Sequence, residues 1–544
     1  MSASVGAAYS MSLWGLEATP VRVEAVLLGG LPNVSIVGLA DTAVNEARER
    51  LRASFSCVGM VWPNERLTVN LSPADTAKTG TRFDLAIAVA IIGALGYRTF
   101  SPRTVVVGEL GLDGSVRPVR GVIPCVLAAQ RFGYQQIVVP VENEAEARLI
   151  SGMRVLPVSH LAQVAELLGV SGMADDVQGE HARESCSTPE VMPASRPCAI
   201  APHSVGDLID VYGQDEAIWA LEVAAVGGHH VQLVGAPGIG KSMLASRFPG
   251  ILPPLSEREA MEVAAVQSLG GVYVSELPTT RPFSAPHHTS TTAALVGGGR
   301  GVPQPGAITY AHHGVLFCDE FPEFSQQAIQ ALRQPMETGW VDLHRVHAHV
   351  RYPAHFQLIA AANPCRCGHA LDGAGMCVCK PRERATYRSH LGGPIRDRFD
   401  IRLVLRRPSK AALAAGGQVS SAQALERVLS ARARAQKRLE AFSVSATKTT
   451  ATDNSAGADN DRRRRISCNA ELPGRWLREH TPLSGAMESV IDRQVSTGQL
   501  SLRGLDRVLR LSWSVADMQV HATPTDDDLA MAFTLRGEED VYGD

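Results

Sequence analysis

No stretch of this sequence is apolar for long enough to cross a bilayer. The longest run, Leu85 to Leu95, is about half the length a membrane-spanning helix requires. The first residues hold no basic segment leading into an apolar core, so a secretory leader is not expected. Charge of one sign is also missing: 52 Lys and Arg face 55 Asp and Glu, a formal net charge of −3. Such a chain has no global basic footprint, and nucleic acid would have to be bound by a local basic surface such as a channel. Ten cysteines in 544 residues do not make a disulfide framework in a long chain expected to be cytoplasmic. What is left is a soluble globular composition, 45% hydrophobic and 20% charged, in a chain too long for one core and divided into about three domains.

The middle of the chain carries the chemistry. Val231-Gln232-Leu233-Val234 is a short apolar run that reads as a buried parallel strand, followed by Gly235-Ala236-Pro237-Gly238-Ile239-Gly240-Lys241-Ser242 and a helix beginning near Met243. This is the strand, glycine loop and helix of a P-loop. Glycines let backbone N–H groups close around phosphates at a helix N-terminus. In that pattern Gly235 to Met243 hold the nucleotide, Lys241 reaches the β- and γ-phosphates, and the Ser242 hydroxyl holds Mg²⁺. Downstream, Val315-Leu316-Phe317-Cys318-Asp319-Glu320 is a second apolar strand, ending in two carboxylates. Asp319 is the expected second Mg²⁺ ligand, and Glu320 the group that polarises the attacking water.

Residues 1–168 alternate strand-like and helix-like patterns and read as an α+β domain. Residues 169–202, rich in Ser, Pro, Ala and charge, read as a linker. Residues 203–408 hold the nucleotide motifs. Residues 409–544 read as helical, with a flexible Ser/Thr/Asn-rich insertion at 441–467 that ends in Arg462 to Arg465. Between the two nucleotide motifs lie Ala285-Pro286-His287-His288-Thr289 and a glycine-rich run, Val296 to Gly301, expected to project as a loop. The pairs His287-His288 and His312-His313 invite a metal, but neighbouring residues rarely point the same way and no carboxylate partner is set by spacing, so an ordinary structural role is preferred. Cys365-Arg366-Cys367 and Cys377-Val378-Cys379 are different: four thiols within fifteen residues, joined by turn-formers, suit a closed tetrahedral structural Zn²⁺. Trp340 to Arg351 alternates as a β-hairpin ahead of the strand Phe356 to Ala361, and Ser325 to Thr338 has helical spacing.

The stretches Val107-Gly108-Glu109-Leu110, Gly114 to Arg120 and Ile137-Val138-Val139-Pro140 resemble the proteolytic domain of Lon, a fold shared with ribosomal protein S5 domain 2. Lon-type chemistry needs a serine activated by a lysine. Here Arg82 stands at the nucleophile's place, and the helix Val122 to Leu127 has no lysine; Thr81 could stand in, but without a base. The domain is therefore expected to be non-proteolytic.

Taken together, the P-loop, the Pro286-His287-His288 stretch, Asn363-Pro364-Cys365 with its cysteine pairs and the helices from Asn469 to Arg510 resemble the magnesium-chelatase-like AAA+ proteins of the YifB/ComM type. The resemblance implies an AAA+ core with the cysteine insert at 365–379, a C-terminal helical lid, ATP and Mg²⁺ as cofactors, and a homo-hexameric ring. It also assigns further residues. Asn363 falls at the sensor-1 position, Arg398 (or else Arg396) at the arginine finger that reaches a neighbouring subunit's ATP, and Arg503 at sensor 2. The activity implied is an ATP-dependent DNA motor, a branch-migration helicase acting on single-stranded or branched DNA in recombination and natural transformation. Arg345 and His347 on the hairpin, helped by Arg300 in the glycine-rich run, are the expected DNA contacts. Two other readings stand beside it: the motor subunit of a metal-insertion complex of the magnesium-chelatase type, and an ATP-dependent Lon-like protease.

Overall fold

A computed structural model describes residues 4–39, 41–74, 78–170, 206–299, 302–345, 348–371, 376–390, 393–449, 466–498 and 500–537. The expected linker lies outside these beyond residue 170, as do Arg300, His347 and Arg462 to Arg465.

The first part is built on a seven-stranded mixed sheet. Strands β1 (Val5–Trp14), β2 (Glu17–Leu28), β3 (Asn33–Val37), β4 (Arg66–Ser72) and β5 (Thr104–Val106) are followed by a two-residue pair, β6 (Glu109–Leu110) and β7 (Val116–Arg117), then β8 (Gln136–Pro140) and β9 (Arg154–Val158). Their order across the sheet is β3-β4-β2-β1-β5-β8-β9. The β1–β2 and β2–β4 pairs are antiparallel, whereas β1–β5, β5–β8 and β8–β9 are parallel. The parallel half needs crossover helices, so this part is more interleaved than a plain α+β reading suggests. The apolar run seen in the sequence forms the helix Asp84–Ala94, and every residue of it is buried.

The Lon-type site is filled by other chemistry. Thr81 Oγ1 donates to Glu109, and Arg82 Nη1 lies 3.6 Å from Cys125 Sγ. The helix that would carry the lysine, Val122–Arg131, instead packs against the helix Glu257–Leu269 of the second part. Gly121 N donates to Ser268 O at 2.9 Å and Ile123 N to Ser268 Oγ at 3.3 Å.

The second part is a five-stranded parallel sheet. Its members are β10 (Val231–Val234), β11 (Phe283–Ser284), β14 (Gly314–Cys318), β17 (Phe356–Ala362) and β18 (Ile401–Val404), in the order β11-β14-β17-β10-β18. The three central strands β14, β17 and β10 are mostly apolar and largely buried, as strands covered on both faces require. Two hairpins leave it: β12 (Gly297–Gly298) with β13 (Gln304–Pro305), and β15 (Trp340–Arg345) with β16 (Ala348–Pro353). The predicted helix Ser325 to Thr338 is two short helices, Gln326–Ala331 and Arg333–Thr338. Pro335 is the reason, since it has no N–H to give the carbonyl of Ala331 and its ring crowds that turn.

The third part is helical: Ser421–Thr449, Gly474–His480, Gly485–Ser496, Leu502–Gln519 and Asp526–Arg536. The expected insertion at 441–467 needs correction at its start, because the helix from Ser421 continues unbroken to Thr449. Leu502–Gln519 packs on the helix Asp215–Gly227 of the second part. Arg427 pairs with the buried Glu222 across the same boundary. No described helix is long and apolar enough to cross a membrane.

Candidate nucleotide site

Three parallel strands end side by side, and their ends make the site. β10 runs beside β17, with Val234 opposite Ala362, and β17 beside β14. The loops after β10, β14 and β17 therefore begin with Gly235, Asp319 and Asn363 on one edge of the sheet. Gly240 closes the first loop in a left-handed conformation, φ +103°, that a side chain would strain. Lys241 follows at the start of the helix Lys241–Arg247 and is 8% exposed. Its Nζ donates to Gly235 O (2.6 Å), Ala236 O (3.0 Å) and Asn363 Oδ1 (2.9 Å). Burial lowers its pKa, and the carboxylates of Asp319 and Glu320 pull it back toward the charged form. Ser242 Oγ donates to Asp319 Oδ2 at 2.8 Å.

This arrangement suits a nucleoside triphosphate. Lys241 would meet phosphate charge, Ser242 and Asp319 are already within reach of one cation, and Pro237, Gly238, Ser242 and Met243 are open to the ligand, with Ile239 half-buried. Glu320 sits beside them in a left-handed conformation, φ +50°, unusual for a residue with a side chain.

The histidine pairs found partners the sequence could not supply. His288 Nδ1 lies 3.0 Å from Glu320 Oε2. His313 Nε2 and His312 Nε2 both face Glu262 Oε2, at 2.8 and 3.3 Å. Those three side chains could be taken for a metal site, but His312 Nδ1 accepts the amide of His355 at 3.1 Å. Its Nε2 therefore carries the proton and donates to Glu262, leaving no lone pair for a metal. The cluster is a partly buried hydrogen-bond network, in which the two histidines hold Glu262 well below the usual carboxylate range.

The four cysteine sulfurs of the insert do converge, all within 4.8 Å of one another. Cys365 Sγ lies 3.3 Å from Cys367 Sγ and 3.6 Å from Cys377 Sγ, and the last two are 3.6 Å apart. A tetrahedral site with Zn–S bonds of about 2.3 Å has edges of roughly 3.8 Å, so the donor set fits Zn²⁺. The insert also touches the phosphate loop. Gly368, at φ +84°, lies so close that a Cβ there would meet Pro237 Cδ at 2.5 Å.

The arginines occupy the other end of the sheet. β18 pairs with β10 from Ile401 opposite Val231 to Val404 opposite Val234, so Arg398 precedes the strand starts while the phosphate loop follows the strand ends. At about 3.3 Å per residue the two ends are roughly 10 Å or more apart. Arg398 is buried and paired with Glu337. Together with Arg333, Arg503, Arg507, Arg510, Asp397 and Asp506 these two line a cleft of about 570 Å³. Arg507 ties the cleft to the sheet by donating to Arg398 O at 2.9 Å and to Asp400. Burial opposes ionisation of Asp400, but Arg507 and His229 overrule it and hold the carboxyl well below its ordinary value. The folded chain thus brings Arg398 and Arg503 to one place, away from Lys241, Asp319, Glu320 and Asn363. Glu337 and His288 are site neighbours that sequence reading missed. The Pro286-His287-His288 run was the visible signal for the second, and nothing marked the first.

A five-stranded parallel sheet with a phosphate loop after β10, an Asp-Glu pair after β14 and an Asn after β17 defines a P-loop ATPase domain of the AAA+ type. Three family signatures match the chain: Subunit ChlI of Mg-chelatase over residues 23–143, Magnesium chelatase, subunit ChlI over 207–413, and its C-terminal region over 418–536. A protein of Mycobacterium tuberculosis is 40% identical over 98% of this chain and 99% of its own length. YifB of Salmonella typhimurium is 37% identical and the competence protein ComM of Haemophilus influenzae 34% identical, each over 95% of this chain and 94% of its own length. A shorter match, 32% identity over 28% of this chain and 21% of the relative, reaches Lon protease 1 of Herpetosiphon aurantiacus. The chain belongs to the YifB/ComM family of magnesium-chelatase-like proteins.

Proposed function

We propose that this chain is the subunit of a cytoplasmic, ring-forming ATPase that moves DNA, a branch-migration helicase of recombination and natural transformation. The observation that carries the ring is the separation of Lys241, Asp319, Glu320 and Asn363 from Arg398 and Arg503 at opposite ends of one sheet. An arginine that completes the site must come from a neighbouring copy, as a hexamer would supply. In this reading Lys241 neutralises the phosphates, Ser242 and Asp319 hold Mg²⁺, Glu320 polarises water, Asn363 positions the terminal phosphate, and Arg398 with Arg503 stabilises charge from across the interface. The reading as a DNA motor is supported by the full-length similarity to a competence protein and by two adjacent hairpins. A Cβ built on Gly298 of β12 would lie 3.5 Å from Nη2 of Arg345, which is exposed at the end of β15.

Six copies of Arg345, helped by Arg300 and His347, would give a ring the local basic channel that a net charge of −3 otherwise denies it. Arg345→Ala is expected to weaken single-stranded and branched DNA binding by roughly tenfold. It should also flatten the salt dependence, by about 0.7 in the log–log slope on single strands and about 0.9 on duplex arms for each phosphate that the variant ring leaves unneutralised. Basal ATPase and assembly should persist. Normal binding and unwinding by this variant at moderate salt would show that the hairpin is structural.

The four cysteines are proposed to hold one Zn²⁺ per chain. Because Gly368 packs on Pro237, Cys367→Ser should lose the metal and also weaken ATP binding by about tenfold, as the backing of the phosphate loop loosens. Metal analysis of reduced wild-type protein that finds no zinc would end this idea.

The family signatures carry the name of magnesium chelatase, which favours a metal-insertion motor as the second reading. ATPase stimulated by DNA supports the first; stimulation by a metal-insertion partner and not by DNA supports the second.

A further inference from the structure

The first part of the chain touches the second not only through the helix Val122–Arg131 but also through the turn between β1 and β2. Trp14 pairs with Glu17, so Gly15 and Leu16 alone make that turn. Trp14 Nε1 donates to His349 O on β16 at 2.9 Å. A Cβ built on Gly15 would lie 2.5 Å from Val350 Cγ1 and 3.4 Å from Tyr352 Cε1. The turn therefore closes on β16 so tightly that only a glycine leaves room.

Both ends of this contact are built. Val350 and Tyr352 are buried, and the Tyr352 hydroxyl donates to Pro303 O, just before β13, at 2.6 Å. The turn thus backs the hairpin β15–β16 directly and reaches β12–β13 through Tyr352. Across β15–β16, His349 stands opposite His344 and Ala348 opposite Arg345. The carbonyl that Trp14 holds is therefore one residue from the position facing Arg345. The other end of β1 rests on the ATPase core. A Cβ on Gly121 would meet Leu13 Cδ1 at 2.4 Å and Leu269 Cδ1 at 3.4 Å. The helix that carries Leu269 is fixed in turn, with Glu259 paired to Arg281 and Glu262 to His313, which directly precedes β14. One apolar core runs through Leu13, Val126, Leu269, Val341 and Val350.

We propose that the first part of the chain is a brace for the hairpin β15–β16, with Trp14 as the positioning residue that keeps Arg345 where a DNA strand can engage it. A two-stranded hairpin that leaves its parent sheet is marginally stable by itself, and this support spans from a fixed helix of the ATPase to the strand beside Arg345. The proposal rests on the reading of the hairpins as the DNA contact.

The test uses the purified full-length chain, ATP with Mg²⁺, and a single-stranded oligonucleotide. In Trp14→Ala, amide hydrogen exchange over β15 and β16 should quicken about tenfold, as one hydrogen bond and its ring packing are lost. Oligonucleotide binding should weaken about fivefold, and the ratio of turnover with DNA to turnover without it should shrink toward one. DNA-free kcat and KM for ATP should stay as in wild type. Trp14→Phe, which keeps a ring and loses only the N–H, should retain most of the coupling. Leu51→Ala, in the separate core of the first part, should lower the melting temperature and leave the ratio as it was. Unchanged exchange over the hairpin in Trp14→Ala, or a ratio lowered as far by Leu51→Ala, would overturn the proposal. A wild-type ATPase that DNA does not stimulate overturns the DNA reading first and this proposal with it. Stimulation lost in Arg345→Ala but intact in Trp14→Ala overturns the brace alone.

Discussion

Lys241→Ala is expected to abolish nucleotide binding, while Glu320→Gln is expected to bind ATP normally and turn it over about 10²- to 10⁴-fold more slowly. The two effects differ because the two residues do different work. Lys241 is buried at the head of a helix, and its Nζ is surrounded by the carbonyls of Gly235 and Ala236 and the amide of Asn363. In the proposed role that ammonium offsets triphosphate charge, so its loss is expected to act on the ground state. Glu320 is partly exposed beside the loop, and its amide isostere keeps size and polarity while losing the ability to take a proton. Equilibrium binding of a fluorescent ATP analogue and steady-state phosphate release separate the two. Equal loss of affinity in both variants would refute these roles.

Arg398→Ala should cost about 10³-fold or more in turnover, with ATP affinity in the isolated subunit little changed. Arg398 approaches the sheet from the strand starts and lines the cleft with Arg503, so it cannot serve its own phosphate loop. The decisive form of the experiment mixes two inactive proteins. Arg398→Ala keeps its phosphate loop, and Lys241→Ala keeps its arginine, so a mixed ring contains some interfaces with both intact. Recovery of activity on mixing is the expected result, and none should come from mixing Lys241→Ala with Glu320→Gln beyond the residual rate, since both lesions lie in the same half-site. Arg398 is also buried against Glu337, so Arg398→Lys and a thermal melt of each variant guard against simple misfolding. An Arg398→Lys ring that folds, assembles and hydrolyses ATP at the wild-type rate would assign Arg398 to structure, because an ammonium cannot replace the planar guanidinium at a bidentate phosphate contact.

The sequence by itself determined those features whose physics is local. A phosphate loop must bring glycines, a lysine and a hydroxyl within a few residues, so Gly235 to Ser242 could be read directly. Asp319-Glu320 and Asn363 follow apolar strands in the same way, and the C-x-C pairs hold their sulfurs close by spacing alone. Alternation over Trp340 to Arg351 marked the hairpin, because strand periodicity is a property of neighbours in the chain.

What the tertiary structure decided were the pairings between distant segments. His288 is far from Glu320 in sequence, Glu262 from His312 and His313, Gly368 from Pro237, and Glu337 from Arg398. No local pattern records such contacts: the order β11-β14-β17-β10-β18 brings His288 to Glu320 and Gly368 to Pro237 at neighbouring strand ends, whereas Glu262 and Glu337 reach their partners from helices. The same sheet order decided that Arg398 and Lys241 lie toward opposite ends of the strands, which is the separation on which the proposal of a neighbouring subunit rests. Tertiary packing also set the fate of the helix Val122–Arg131, whose surface lies against Glu257–Leu269. Only folding could disclose that, since burial of one helix by another depends on both.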